Sequence, residues 1–126
     1  MPVVIENRSK TEDFDIYGAY VNKYREDLYI AYPINYYHTD DMKRGGSLDN
    51  DGYATIGFWV SNDGRKFDEV KRDYITDGYN WLEFCIGHIE TEDMFIHYYI
   101  TFNGTHGKQT GNNTIRARIH YKNRKR

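Results

Sequence analysis

The sequence predicts an all-β protein, an antiparallel β-sandwich of about seven to eight strands with immunoglobulin-like two-sheet packing. Three observations carry that prediction. Apolar and polar residues alternate with period two along most of the chain, while the 3.6-residue period of a helix is scarce. The alternating runs are short and end in Gly, Asn and Asp clusters, the residues that make tight turns. The chain also holds 13 Tyr, 6 Phe and 2 Trp in 126 residues. Such rings suit half-buried strands, where the body packs and a hydroxyl reaches water.

The elements follow in order. Phe14 to Val21 (FDIYGAYV) alternates and reads as the first strand. Asp27 to Tyr37 (DLYIAYPINYY) sets Leu28, Ile30, Tyr32 and Ile34 on one face. Pro33 within it predicts an edge strand or a break, because proline has no amide to give to a ladder. Thr39 to Gly52 (TDDMKRGGSLDNDG) is polar and glycine-rich, a long loop. Tyr53 to Val60 is the next strand, closed by Ser61-Asn62-Asp63-Gly64 as a hairpin turn in which Gly64 tolerates positive φ. Arg65 to Ile75 reads as a strand with irregular ends, and Tyr79 to Ile89 alternates Leu82, Phe84 and Ile86 on one face. Met94 to Asn103 and Asn113 to Tyr121 complete the set. Between them runs a polar loop of Gly, Thr, Asn and Gln. At this length the chain is one domain, 1–126, with a basic, solvated tail at 122–126.

Charge and motif content exclude several classes. A formal charge of -2 supplies no global field toward nucleic acid or anionic membrane. No apolar run approaches the roughly 18 residues that span a bilayer. The start MPVVIENRSK lacks the basic and apolar regions of a secretory signal, which predicts a cytoplasmic protein. The single cysteine, Cys85, forms neither an internal disulfide nor a metal cluster, and it alternates away from Leu82 and Phe84. The five histidines, His38, His88, His97, His106 and His120, lack metal-ligand spacing. A calcium-loop frame opened at Ser47 puts Phe58 where a bidentate Glu is needed. No nucleophile is set beside a base and an orienting group, so no enzyme, cofactor or metal is expected. The basic cluster Arg116 to Arg126 could touch phosphates, but the acidic loop segments at 39–41 and 49–51 offset it.

The second half resembles a family. The stretches NDGRKFDEV, RDYI, LEFCI, FIHYYITFNG and GNNTIRARI are similar in order and character to the family 21 carbohydrate-binding modules. VVIEN near the start is similar to that family's opening strand, and the resemblance covers roughly Gly57 to Ile119 besides it. These modules are the starch-binding domains of some fungal glucoamylases and the glycogen-targeting subunits of protein phosphatase 1. The resemblance implies a non-catalytic β-sandwich that binds α-glucan, with rings stacked on sugar faces and amides bonded to hydroxyls. It assigns the aromatic role to Phe67, Tyr74, Tyr79 and Trp81, the last with its ring turned outward, and the polar role to Asn103, Asn112 and Asn113. The sequence departs from the family in four places. Gly64-Arg65 replaces a turn tryptophan, and THGKQT replaces an aromatic-Asp-Asn run. Residues 39–52 look like an insertion, and RIHY at 118–121 has Tyr where a phosphatase docking motif has Phe or Trp.

A second class of function is equally consistent with the tyrosine content. A protein-interaction or structural sandwich, such as a phage or viral accessory protein, would present exposed tyrosines to a protein partner.

Overall fold

The computed structural model describes residues 14–38 and 51–122, of which residues 85–88 by backbone alone. Seven strands are formed there: β1 (Phe14–Arg25), β2 (Leu28–His38), β3 (Gly52–Ser61), β4 (Asp68–Ile75), β5 (Trp81–Glu90), β6 (Met94–Phe102) and β7 (Asn113–Tyr121). They pair antiparallel in two sheets, ordered β1-β2-β3-β4 and β5-β6-β7. The expected sandwich is therefore present. Its sheet order follows chain order, so each sheet is a meander, whereas immunoglobulin sheets interleave strands from both halves of the chain. Short turns such as Glu26-Asp27 between β1 and β2 produce that order by joining neighbours directly. VVIEN, residues 39–50, the tail beyond Lys122 and the side chains of Cys85 and Ile86 lie outside the described residues.

Alternation decides which faces meet. Tyr32 of β2, Ile56 of β3, Ile75 of β4 and Leu82 of β5 form a buried cluster between the sheets, flanked by Tyr20, Ile30, Phe58, Tyr74, Phe84 and Tyr99. Toward one end, Tyr36, Ala54 and Trp81 form a second cluster with Ile34 and Phe102 against it. The face read from sequence on β2 is thus the inner face. Burying it supplies most of the driving force, at roughly 25 cal/mol per Å² of apolar surface.

Pro33 marks a break in pairing rather than an edge. It sits in β2, a central strand, almost fully buried. The β2–β3 ladder skips Tyr32 and Pro33 while its register stays unchanged on either side. Gly57 stands close by: a Cβ there would come 3.1 Å from the Pro33 ring and 3.0 Å from the Arg72 carbonyl oxygen. A glycine beside a proline lets a central strand omit hydrogen bonds without opening a gap. Gly57→Ala is expected to destabilise the fold by about 1–3 kcal/mol through overpacking. Urea unfolding checks this, and an unchanged midpoint would mean that the contact relaxes freely.

The turn after β3 forms as the sequence indicated. The Ser61 hydroxyl oxygen accepts from the Gly64 amide at 2.9 Å, and Gly64 has φ +74°. Asp63 Oδ1 accepts from the Arg65 and Lys66 amides at 2.8 and 3.0 Å. Those bonds, the Lys66 one first, hold the Asp63 carboxyl below its ordinary value.

Candidate functional site

The outer face of the four-stranded sheet carries the most developed site. Residues of odd number on β2 and β3 point there, because Tyr32, Ile34, Tyr36, Ala54 and Ile56 occupy the inner face. Asn35 pairs with Thr55 and Tyr37 with Tyr53 across the ladder. The Tyr37 and Tyr53 rings stack with centroids 5.1 Å apart and planes 14° from parallel. Tyr79, on the segment between β4 and β5, meets Tyr53 edge-on at 5.0 Å and is 74% exposed.

A polar relay fixes the floor. Asn35, only 1% exposed, donates through Nδ2 to the Arg72 carbonyl at 2.7 Å and toward Thr55 Oγ1 at 3.4 Å. Thr55 Oγ1 in turn donates to Asp73 Oδ1 at 2.6 Å, and the Tyr37 hydroxyl donates to the same oxygen at 2.7 Å. The β3–β4 register shifts between Ile56 and Phe58, and the Arg72 carbonyl is brought over the outer face there. The Arg72 guanidinium lies 4.9 Å from the Phe14 ring and bonds Glu69 at 3.3 Å. Tyr37, Tyr53, Thr55, Arg72 and Asp73 border an open cleft of about 460 Å³, lined also by Thr76 and Gly78.

Electrostatics keep both phenols protonated. Burial, then the bond to Asp73, pushes the Tyr37 hydroxyl up, and burial, then Tyr79, does the same for Tyr53. Burial and the nearby Asp73 charge raise the Glu69 carboxyl. At neutral pH the cleft thus offers two stacked rings, the protonated Tyr53 hydroxyl and the Asp73 carboxylate, which already accepts from Tyr37 and Thr55 through Oδ1.

The residues proposed from sequence are not gathered there. None of them lines the cleft; Tyr79 comes nearest, its ring edge-on to Tyr53. Trp81 is fully buried, packed edge-on to Tyr36 and Tyr17 at 5.0 Å each and to His106 at 4.5 Å. The expected outward ring is therefore corrected. Trp81 is the first residue of β5, paired with Phe102 in regular register and on the same side as Glu83, to which its Nε1 donates. Alternation does turn it away from Leu82, but Tyr17, Tyr36 and His106 cover that side here, which local periodicity does not reveal. Its backbone amide donates to the Gly104 carbonyl at 2.9 Å, which fixes the entry. Phe67 is 7% exposed, with no face to offer a sugar. Tyr74 packs against the core, its hydroxyl 2.6 Å from His120 Nε2. Asn103, Asn112 and Asn113 are exposed and adjacent to one another: the Asn103 amide donates to the Asn112 carbonyl at 3.1 Å, and Asn113 pairs with Phe102.

The polar loop after β6 is braced rather than free. Asp51 Oδ2 accepts from the Thr105 hydroxyl at 2.7 Å, and Oδ1 accepts from the Gly107 and Gly52 amides at 2.6 and 2.8 Å. The His106 amide donates to the Gly52 carbonyl at 2.7 Å, and Asn80 Oδ1 accepts from the Gly104 amide at 2.8 Å. These bonds tie the loop to β3 and to the segment that carries Tyr79.

Sequence reasoning missed Tyr37, Tyr53, Thr55 and Asp73. Tyr37 and Tyr53 share a parity with Asn35 and Thr55, opposite to the apolar parity of each strand. An aromatic–polar face repeated on two successive strands was the available signal. Among the described residues, no group of three His, Cys, Asp or Glu could hold a metal ion. Comparison with protein-family models, with characterised proteins and with solved structures gave no match to this chain.

Proposed function

We propose that this protein is a non-catalytic saccharide-binding module, with α-glucan as the first ligand class to test. The observation that supports it most is the stacked Tyr37–Tyr53 pair beside the Asp73 carboxylate, with the exposed Tyr79 ring edge-on to Tyr53. Sugars offer apolar ring faces and hydroxyl edges. Aromatic faces take the former, and a fixed carboxylate with neighbouring hydroxyls takes the latter. The site belongs to different residues from those the family 21 resemblance assigns, apart from Tyr79.

Native electrophoresis through gels containing glycogen or amylopectin tests the reading. The wild-type chain is expected to be retarded, with little dependence on salt. Tyr79→Ala should weaken retardation by about threefold to tenfold, the worth of one stacking contact. Asp73→Asn should weaken it by about tenfold or more through loss of a charged acceptor. Unchanged mobility at high polysaccharide concentration would dismiss α-glucan.

One observation favours a second reading, a protein-interaction sandwich. The outer face of β5-β6-β7 exposes Ile89, Tyr98, Ile115, Ile119 and Tyr121, of which Ile115 is 68% exposed. Ile96 pairs with both Ile89 and Ile119, so these side chains form one contiguous surface. A patch of this kind is a common site of protein contact. Under this reading, light scattering or capture by a defined partner should respond to Ile115→Glu while glucan retardation stays absent.

A further inference from the structure

Between the sheets, at the end away from Trp81, the core is not filled. A cleft of about 260 Å³ opens there, with Leu28, Ile30, Phe58 and Phe95 among its walls. Interiors pack densely, with few voids larger than a water molecule. An apolar cavity of about 150 Å³ in another protein remains dry and takes up benzene. This space exceeds that volume, and both sheets contribute to its walls.

Three of its lining residues, Tyr32, His97 and His120, form a short series with Tyr74 behind them. Tyr32 Oη and His97 Nε2 are 3.0 Å apart and buried. Tyr74 Oη and His120 Nε2 are 2.6 Å apart, and the two imidazoles lie 5.7 Å from each other. Each pair joins a tyrosine of one sheet to a histidine of the other, and both histidines line the cleft. No carboxylate lines it. Lys122, at the rim, is engaged: its Nζ is 3.4 Å from Glu90 Oε2 and donates to the Thr91 carbonyl at 2.8 Å. It also lies 4.6 Å from the Phe95 ring. Burial lowers the affinity of His120 for a proton, so its imidazole is neutral at pH 7.

We infer that this inter-sheet cleft binds an uncharged aromatic molecule of one or two rings bearing a single hydroxyl, a phenol or naphthol. Flat rings match walls made of Leu, Ile and Phe, and dispersion rewards filling them. The hydroxyl can join the tyrosine–histidine series, whose members exchange donor and acceptor roles with tautomer. A charged ligand would enter an apolar space whose one cationic lining group among the described residues, Lys122, already has a carboxylate. The inference is independent of the saccharide cleft, which lies on the opposite face of the four-stranded sheet.

The probe is 2-naphthol, titrated into the full chain and followed by NMR of the His97 and His120 rings, with 2-naphthoate as the charged comparison. Saturable shifts of both imidazoles are expected, with naphthoate binding at least tenfold more weakly. Contacts from naphthol protons to the Phe58 and Phe95 rings should appear in the wild-type chain. Leu28→Trp, which fills the cleft from its rim, should abolish binding while its strand signals persist. Absence of shifts up to the solubility limit, equal or tighter binding of naphthoate, or unaltered naphthol binding by folded Leu28→Trp would each overturn the inference. If that variant does not fold, absence of the wild-type ring contacts overturns it instead.

Discussion

Trp81→Ala is expected to cost about 3–5 kcal/mol of stability, the range for deleting a buried large aromatic side chain. The indole is completely buried and meets Tyr17, Tyr36 and His106, rings from β1, β2 and the loop after β6. Its Nε1 donates to Glu83 Oε1 at 2.7 Å, so truncation also strips a donor from that carboxylate. A domain of this size holds about 5–15 kcal/mol in total. The variant should therefore melt far below the wild type, or fail to fold at 37 °C. Trp81→Phe, which keeps a ring in the cluster, should retain part of the loss. Equilibrium urea unfolding measures both, and a loss under about 1 kcal/mol would contradict the packing described. One consequence concerns binding assays: loss of binding in Trp81→Ala would report unfolding, whereas Tyr79→Ala reports on the cleft.

Asp51→Ala should cost about 2–3 kcal/mol, a value already reduced for the partial exposure of the carboxylate. Three donors converge on it, two from the loop after β6 and one from Gly52, the first residue of β3. Without it, the Thr105 hydroxyl and the Gly107 amide lose the acceptor that joins them to β3. Burial alone would raise the Asp51 carboxyl; the Thr105, Gly107 and Gly52 bonds and the Lys108 charge outweigh it and hold it below its ordinary value. The sign for acid follows. The folded value is depressed, so the contribution is complete above the unfolded carboxylate value of about 3.9. It is lost as pH falls through the lower folded value. Wild-type stability should drop more steeply than that of Asp51→Asn as pH is lowered from about 5 to 2. Parallel acid profiles would show that the carboxylate carries no such load. Amide exchange of Gly107 should accelerate in the variant, because Asp51 Oδ1 is the acceptor of that amide.

Much of the fold was legible because strand periodicity is written locally. β7 spans Asn113 to Tyr121, the limits read from the sequence, and β2 and β3 differ from expectation by one residue at each end. The same parity that placed Leu28, Ile30, Tyr32 and Ile34 inward also placed Asn35 and Tyr37 outward. Pro33 was read as an edge or a break, and it is a break in the β2–β3 ladder of a central strand. Local rules count the amide that proline lacks. They do not count the glycine that a distant strand sets beside it.

The candidate site was less legible. Its elements, Tyr37, Tyr53, Asp73 and Tyr79, come from three strands and a connecting segment. No short motif spans them, and their assembly depends on strand pairing and on the irregular β3–β4 register. Sequence by itself determined the all-β class, the limits of β2, β3, β6 and β7 to within one residue and the inner face of the central strands, because each follows from period-two alternation and turn chemistry. β1 runs four residues past its expected end at Val21, and β4 starts three residues after Arg65. Only the tertiary structure decided that Trp81 is core, that the loop after β6 is pinned by Asp51, and that two tyrosines stack beside a carboxylate. Those outcomes rest on contacts between residues far apart in the chain, and no local pattern encodes such distances.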